Sequence, residues 1–277
     1  MGILYLVSTP IGNLDDISAR AIKTLAEVKI IAAEDTRQTR KLLSHYHINA
    51  SITSYHEHNK VEKIPYLLKE LENSDIAVVS DAGTPALNDP GYELVRAAIQ
   101  AGYRVSPIPG ACASIAALVA SGLPSDKFFY LGYLPRKKKE RQRLLQEFSE
   151  LTSTLIALEV PHRLMATLAD LAEALGDERQ IAIARELTKI HEEIFRGSIE
   201  EAREYFSAQP PRGEFTLVIS GYQAPSDRWR EDHLRREIQN LLDSNCLPAT
   251  ISSQMAKKSG WSRREIYQIV IEMRNHP

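Results

Sequence analysis

The sequence has little of what marks a secreted, membrane-bound or disulfide-stapled protein. Only two of its 277 residues are cysteines, Cys112 and Cys246. So few cysteines argue against a disulfide scaffold and favour a reducing, cytoplasmic setting. No stretch approaches the roughly eighteen consecutive apolar residues of a transmembrane helix, so no membrane contact is predicted. The N-terminal run Met-Gly-Ile-Leu-Tyr-Leu-Val also lacks the basic region of a signal peptide.

The charge balance lacks an excess of either sign. The chain carries 34 Lys+Arg against 36 Asp+Glu, a formal net charge of -2. This balance argues against a globally basic nucleic-acid binder but leaves room for local basic patches. The hydrophobic fraction of 43% and the charged fraction of 25% are typical of a globular protein and exclude intrinsic disorder.

Short apolar runs alternate with helical patterns, which predicts an α/β fold. We predict an N-terminal α/β domain over 1–121, a second α/β domain over 122–224 and a helix-turn-helix-like segment over 228–277, with a polar linker over 222–229. Asp15 or Asp16 is expected to cap the first helix. The last segment has nine Lys/Arg against six Asp/Glu, and its Ser262-Arg263-Arg264-Glu265 is a capping-box pattern. The predicted strands are Ile3–Val7, Ile30–Ala33, Ile76–Val79, Val105–Ile108, Phe128–Leu131, Thr154–Leu158, Ile181–Ala184 and Phe215–Ile219.

Polar and Gly/Pro motifs follow three of these strands. They are Thr9-Pro10-Ile11-Gly12, the run from Ser80 to Pro85, and Pro107-Ile108-Pro109-Gly110. Each alone is compatible with a simple tight turn. Together they favour one shared site, because ligands of open α/β sheets bind beyond the carboxyl ends of the strands. The chain has no Gly-x-Gly-x-x-Gly and no Gly-Lys-Ser/Thr, so dinucleotide and phosphate-loop motifs are absent.

Two other features favour structural roles. His56-Glu57-His58 has no matching Cys/His cluster, so we interpret it as a solvated loop or edge strand and predict no metal site. Cys112 has no evident base partner, so a wall of a binding site is favoured over a nucleophile.

The motifs together resemble the small-subunit ribosomal RNA methyltransferases of the tetrapyrrole-methylase-like (class III) superfamily. The resemblance spans essentially the whole chain, and its specificity comes from the joint order of short motifs. These motifs are the run from Leu6 to Ile17, Ala32 to Arg37, Ser80 to Pro85, Asp89-Pro90-Gly91, Ser121-Gly122-Leu123-Pro124, Gly132 to Lys137, Glu159 with Pro161-His162-Arg163, Ala184 to Lys189 and Gly213-Glu214.

The resemblance implies a cofactor, S-adenosylmethionine, in a cleft between two α/β domains, and a homodimer. It implies methylation of a cytidine ribose 2′-hydroxyl in the decoding region of 16S rRNA. The chain departs from the usual Pro-Gly-Pro at Ala111, and from an aromatic and a Ser at Leu158 and Val160. The predicted cofactor-binding residues are Pro10, Gly12, Ser80, Asp81, Gly83, Thr84, Cys112, Ala113, Leu158 and Gly213.

Methylation of a ribose hydroxyl needs a base, or a cation that lowers the hydroxyl pKa, because the hydroxyl is a poor nucleophile. Two clusters of charged residues follow predicted strands and offer both functions. As a hypothesis, Asp35 or Glu186 accepts the proton while Lys189 or Arg185 stabilises the alkoxide, with Glu34 as a further candidate. Structural ion pairing is an equally good interpretation of each residue alone.

Two regions are candidates for RNA contact. The run from Arg136 to Arg143 places six cations in eight residues, which can neutralise phosphates, although a solvated helix face is the common alternative. In the C-terminal segment, Ser262–Met273 stands in the place of a recognition helix. The predicted RNA-binding residues are Arg37, Arg136, Lys137, Lys138, Lys139, Arg141, Arg263 and Arg264.

Two other functions remain as alternatives. A tetrapyrrole methylase of the same fold would need neither the basic run nor the C-terminal helices. A non-catalytic RNA-binding assembly factor would not need the strand-end motifs. These features favour the rRNA methyltransferase.

Overall fold

The computed structural model describes residues 1–208, 211–223, 228–244 and 246–275. The chain divides into two compact units, Met1–Ser220 and Gly221–Pro277. In the described part of the chain, no helix has the length and apolar character needed to cross a membrane. The strands are β1 (Ile3–Val7), β2 (Ile30–Ala33), β3 (Ser51–Ser54), β4 (Ile76–Val79), β5 (Arg104–Ile108), β6 (Phe128–Tyr133), β7 (Thr154–Glu159), β8 (Gln180–Arg185), β9 (Glu193–Ser198) and β10 (Phe215–Ile219). The helices are α1 (Ala19–Glu27), α2 (Thr36–His45), α3 (Lys60–Leu71), α4 (Tyr92–Gln100), α5 (Ala113–Ser121), α6 (Lys138–Glu147), α7 (Pro161–Leu175), α8 (Ile199–Ala208), α9 (Glu231–Asp243), α10 (Pro248–Ser259) and α11 (Arg263–Asn275).

The first sheet is entirely parallel, with the strand order β3-β2-β4-β1-β5. Its central strands β2 and β4 are continuous apolar runs that are buried throughout. This is expected of a parallel sheet covered on both faces. Helices α1 and α2 contribute Leu25 and Leu43 to the core on one face, while α3 and α4 contribute Leu67 and Leu94 on the other. The carboxyl ends of all five strands therefore lie at one edge.

The second sheet is mixed, with the order β6-β7-β10-β8-β9. Strand β6 is parallel to β7, and the other pairs are antiparallel. One face packs against α6, α7 and α8 through residues such as Leu145, Leu168 and Phe206. The opposite face packs against Ala117 and Leu118 of α5.

Helix α5 therefore connects the two halves of the first unit. Its last turn is held by Arg196 of β9, whose guanidinium donates to the carbonyl of Ala120 at 2.6 Å. Exposed carbonyls at a helix end favour such a cation. The proposed domain boundary at residue 122 thus follows a helix that packs on the second sheet, and the division at 121 stays a prediction.

The second unit contains α9, α10 and α11 around an apolar core that includes Leu234, Ile251 and Ile266. The predicted capping box is confirmed: the Ser262 amide donates to Glu265 at 2.9 Å, and the Glu265 amide donates to the Ser262 hydroxyl at 3.2 Å. Of the predicted linker, residues 224–227 lie outside the described residues.

The prediction that Asp15 or Asp16 caps the first helix is wrong. Both residues lie in a short 3-10 turn, Leu14–Asp16. Ser18 caps α1 instead, because its hydroxyl accepts from the Ala21 amide at 3.1 Å. The extra turn places the cap of α1 two residues after Asp16.

Candidate active site

A cleft of about 920 Å³, part of it open to solvent, lies between the carboxyl edge of the first sheet and the second sheet. One side is formed by the loops after β2, β4 and β5, with Glu34, Asp81 and Cys112 among the lining residues. The other side is formed by Tyr130 of β6 and by Leu158 of β7.

The loops after β1 and β4 are locked together by backbone pairing. The Thr9 amide donates to the Gly83 carbonyl at 2.9 Å, and the Gly83 amide donates back at 3.0 Å. The Thr9 hydroxyl also donates to the Ser80 carbonyl at 3.2 Å, and the Thr84 hydroxyl donates to the Ala111 carbonyl after β5 at 3.3 Å. Three strand-end motifs that the sequence singled out thus form one rigid wall.

Five carboxylates line the cleft, and we call three of them, Glu34, Asp81 and Asp89, the cleft carboxylates. Burial, followed by the negative charge of Glu34, raises the pKa of Asp89 to about 6. Burial also raises the pKa of Glu34, with the charge of Asp81 adding to the rise. Among the described residues, none of the three has an ion-pair partner. Perturbed carboxyl groups in a cleft indicate a functional site.

Two of the cleft carboxylates, Asp81 and Glu34, accept hydrogen bonds from backbone amides. The Asp35 amide donates to Asp81 Oδ1 at 2.9 Å, and the Asp81 amide donates to Glu34 Oε2 at 3.3 Å. The loop that carries Asp89 has two non-glycine residues at positive φ, Ala86 at 68° and Asn88 at 66°. Such conformations cost energy and concentrate at functional loops.

Asp35 has a different environment from Glu34, although the two are adjacent at the end of β2. Its carboxylate pairs with the Arg37 guanidinium at 2.7 Å and accepts the Arg37 amide at 2.8 Å. These hydrogen bonds lower the pKa of Asp35 to about 2. Asp35 thereby caps α2 and holds Arg37, one of the predicted RNA contacts. A carboxylate this acidic is a poor proton acceptor at neutral pH.

A second charged cluster lies at the rim of the cleft. Lys189 donates to Glu186 Oε1 at 2.9 Å and to Glu214 Oε2 at 3.1 Å, and Glu214 lines the cleft. The hydrogen bond from Lys189 lowers the pKa of Glu186. Arg185 points elsewhere, since its guanidinium donates to the Arg212 carbonyl and to Glu193 of β9. The structure brings Glu186 and Lys189 together and separates Arg185 from them.

Gly12 and Gly213 hold this second cluster close to the backbone. A Cβ at Gly12 would lie 2.5 Å from Lys189 Cγ, and the neighbouring Asn13 amide donates to the Thr188 hydroxyl at 3.0 Å. A Cβ at Gly213, whose φ is +85°, would lie 2.4 Å from the Glu186 side chain. Both glycines permit close approach, so their contribution is to loop packing.

The predicted cofactor-binding residues divide into three groups. Pro10 and Ser80 border a neighbouring cavity, and Gly12 and Gly213 pack against the second cluster. The rest line the cleft: Asp81, Gly83, Thr84, Cys112, Ala113 and Leu158.

Sequence reasoning missed several cleft residues, namely Asp89, Tyr130, Tyr133 and Glu214. Asp89 belongs to the Asp89-Pro90-Gly91 motif, which was a usable signal, although it lies ten residues after the end of β4. Glu214 belongs to the Gly213-Glu214 motif and lies directly before β10. The tyrosines lie on β6, and the sequence alone does not show which face of that strand meets the first sheet.

The basic run begins in an exposed loop and enters α6. Arg136, Lys137, Lys138 and Lys139 are exposed, as an RNA-contacting surface requires. The prediction for Arg141 is wrong. Its side chain is 5% exposed and pairs with the buried carboxylate of Asp170 at 2.5 Å, so it holds α6 against α7.

In the second unit, Arg263 and Arg264 are exposed on the first turn of α11. They line a surface cavity together with Tyr267 and Gln268. Helix α10 ends at Gly260 in a left-handed conformation, and α11 begins three residues later. This arrangement presents the side chains that the sequence assigned to a recognition helix.

Comparisons with known proteins agree with this architecture. The family model described as tetrapyrrole (corrin/porphyrin) methylases matches residues 3–203. A "Ribosomal RNA small subunit methyltransferase I" from Synechocystis sp. is 49% identical over 99% of both chains. The protein of that name from Bacillus subtilis is 43% identical over 96% of this chain and 93% of the relative.

Solved structures share the fold at low sequence identity. A diphthine synthase superposes with a TM-score of 0.62 at 11% identity, covering 79% of this chain and 90% of that one. A cobalt precorrin-4 methyltransferase superposes with a TM-score of 0.60 at 15% identity, covering 79% and 94%. The predicted tetrapyrrole-methylase-like fold is confirmed.

Proposed function

This chain belongs to the tetrapyrrole (corrin/porphyrin) methylase family and to the ribosomal RNA small subunit methyltransferases I. It is an S-adenosylmethionine-dependent methyltransferase, and we propose that it methylates the ribose 2′-hydroxyl of a cytidine in the decoding region of 16S rRNA. The observation that carries the proposal is a cleft with three carboxylates that have no ion-pair partner among the described residues, in a chain that is 49% identical to a named rRNA methyltransferase.

The residues of the cleft fit S-adenosylmethionine. The cofactor supplies an electrophilic methyl group on a positively charged sulfur. The cleft carboxylates have no ion-pair partner among the described residues, and burial raises the pKa values of Glu34 and Asp89, so an added positive charge would be favourable beside them. A bound cation would relieve their mutual repulsion. The wall from Gly83 to Thr84 and the start of α5 at Cys112 and Ala113 would hold the rest of the molecule.

For proton removal we assign the pair Glu34 and Asp89. The bound cofactor would supply its methyl group to the ribose oxygen, and this carboxylate pair would take up the proton that the hydroxyl loses. Burial raises the pKa values of both carboxyl groups, which makes this pair a better proton acceptor than a carboxylate paired with a protein cation. Asp35 and Glu186 are weaker acceptors because hydrogen bonds hold their pKa values low. Lys189 is assigned to positioning Glu214 at the cleft.

The substrate surface is assigned to two basic patches. Arg136 and the lysines at 137–139 would contact phosphates near the cleft, and Arg263 and Arg264 would contact RNA through the second unit. Arg37 remains a candidate only when it is released from Asp35. Phosphate contacts supply affinity without reading sequence.

A homodimer is part of the proposal, as the family resemblance implies. Helix α5 leaves Ile115 and Val119 43% and 71% exposed, and clustered exposed apolar side chains favour an interface. A measured particle mass of one chain at micromolar concentration would remove this part. A cytoplasmic location is expected from the proposed substrate.

The test is methyl transfer from labelled S-adenosylmethionine to small ribosomal subunits that lack the modification, with naked 16S rRNA alongside. We expect label in the rRNA. Tight cofactor binding without label would favour the tetrapyrrole methylase, and absence of both would favour the assembly factor.

A further inference from the structure

A second cavity adjoins the cleft on the other side of the wall formed by the loops after β1 and β4. It has about 720 Å³ of empty space, part of it open to solvent. The wall contributes Thr9, Pro10, Ser80 and Asp81. Helix α2 and the short turn before α1 form the far side with Leu14, Gln38, Thr39, Lys41 and Leu42.

Asp81 borders both this cavity and the cleft. Its Oδ1 atom accepts the Asp35 amide at 2.9 Å, so its position is fixed. The wall beside it is fixed as well, since Thr9 and Gly83 exchange two backbone hydrogen bonds. Ligands in the two cavities would therefore come close to each other at Asp81, where the fixed loops would restrict their relative positions. Methyl transfer between two bound molecules requires such positioning.

The cavity lining combines groups suited to a nucleoside. Pro10, Leu14 and Leu42 offer apolar surface for a base. Lys41 supplies a cation at the exposed end of the cavity. Lys41 Nζ also donates to Gln38 Oε1 at 3.3 Å, which leaves the Gln38 amide nitrogen to donate to a ligand. Atoms N3 and O2 of cytosine are acceptors, whereas N3 of uracil carries a proton.

We propose that this second cavity binds the acceptor nucleoside, with its base between Pro10 and Leu42, its phosphate near Lys41 and its ribose at Asp81. Gln38 is the specificity-determining residue for cytosine over uracil. The inference rests on the proposed function and adds where the acceptor lies and how it is read.

Such a cavity holds one nucleotide that has left its base stack. Enzymes that must reach an atom inside folded nucleic acid extrude the target nucleotide into a pocket. Helix α2 borders the cavity, and its Arg40 and Lys41 are exposed. These cations provide the charge complementarity that an entering phosphodiester needs.

The test compares three variants of the full chain. Leu42→Trp fills the cavity from the α2 side, Gln38→Ala removes the proposed reading group, and Ser44→Trp places the same indole on the exposed outer part of α2 as a control. Each is assayed for kcat/KM on unmethylated small subunits and for S-adenosylmethionine affinity by calorimetry. Subunits with cytidine or uridine at the target position report discrimination.

We expect Leu42→Trp to lower kcat/KM by at least about a hundredfold while cofactor affinity stays within about twofold, and Ser44→Trp to change neither. Gln38→Ala should reduce the cytidine-over-uridine preference by about tenfold. Full activity of Leu42→Trp, or unchanged discrimination by Gln38→Ala, overturns the assignment while the proposed function stands. Loss of cofactor binding by Leu42→Trp also overturns it, since the cavity would then belong to the cofactor. Absence of transfer by the unaltered chain overturns both.

Discussion

Replacing Asp89 with asparagine should stabilise the protein at pH 8, in the absence of cofactor. Burial and the charge of Glu34 raise the pKa of Asp89 to about 6 from an ordinary value of 3.8. A raised carboxyl pKa means that ionisation is less favourable in the folded state than in the unfolded state. Asp89 therefore lowers the free energy of unfolding above pH 6 and does not lower it below pH 4. Each unit is about 1.4 kcal/mol, which sets an upper limit of about 3 kcal/mol. Because the group is only partly buried, solvent screening reduces the expected gain to about 1 to 2 kcal/mol.

The assay is urea unfolding of both forms between pH 4 and pH 8. The gain from Asp89→Asn should be present at pH 8, shrink through pH 6 and vanish near pH 4. Asp126→Asn serves as a control, since Asp126 is exposed and outside the cleft. An Asp89→Asn variant that is no more stable than the unaltered protein at pH 8 would refute the reasoning that the cleft stores unpaired negative charge.

Three further predictions follow from the same geometry. Glu34→Gln should lower kcat by about a hundredfold, because a general base contributes about a hundredfold to the chemical step, and should leave rRNA affinity within about twofold. An unchanged rate in single-turnover assays would show that Glu34 does not accept the proton. Changing the lysines at 137–139 to alanine should flatten the slope of log affinity against log salt by about 2 to 3, and an unchanged slope would show that they make no phosphate contacts. Arg141→Ala should lower the free energy of unfolding in urea by about 3 kcal/mol, because it leaves Asp170 buried without its main partner. The side chain of Arg143 is 83% exposed, so Arg143→Ala should lower it by less than about 0.5 kcal/mol. Equal losses for the two arginines would contradict the buried pair.

The central strands could be predicted from the sequence because they are continuous apolar runs. Strands β1, β2, β4 and β10 match their predicted bounds. Strand β3, Ser51–Ser54, was missed because it is a short, mostly polar edge strand with only partial burial. The sequence pattern did not predict helix α2, because its first turn is polar and because Asp35, which caps it, is a candidate proton acceptor in the sequence analysis. In both segments the local sequence pattern is weak, and packing against the rest of the sheet determines the secondary structure.

The candidate site was partly predictable for a related reason. Residues directly after strands, such as Asp81 and Thr84, are placed by the parallel sheet itself. Asp89 lies several residues further along, and only the folded loop brings it to Glu34. For Arg141 the sequence did contain the relevant signal. Arg141 lies four residues before the buried Leu145, so both side chains are expected on the same, inward face of α6.

The most direct test of the central claim is where the methyl group lies in the rRNA product. Labelled 16S rRNA from the transfer reaction is hydrolysed in alkali, which cannot cleave next to a 2′-O-methyl ribose. The account predicts label in an alkali-resistant dinucleotide that contains cytidine. Label found only in mononucleotides would mean that a base is methylated, and would contradict the assignment of the ribose hydroxyl as the acceptor.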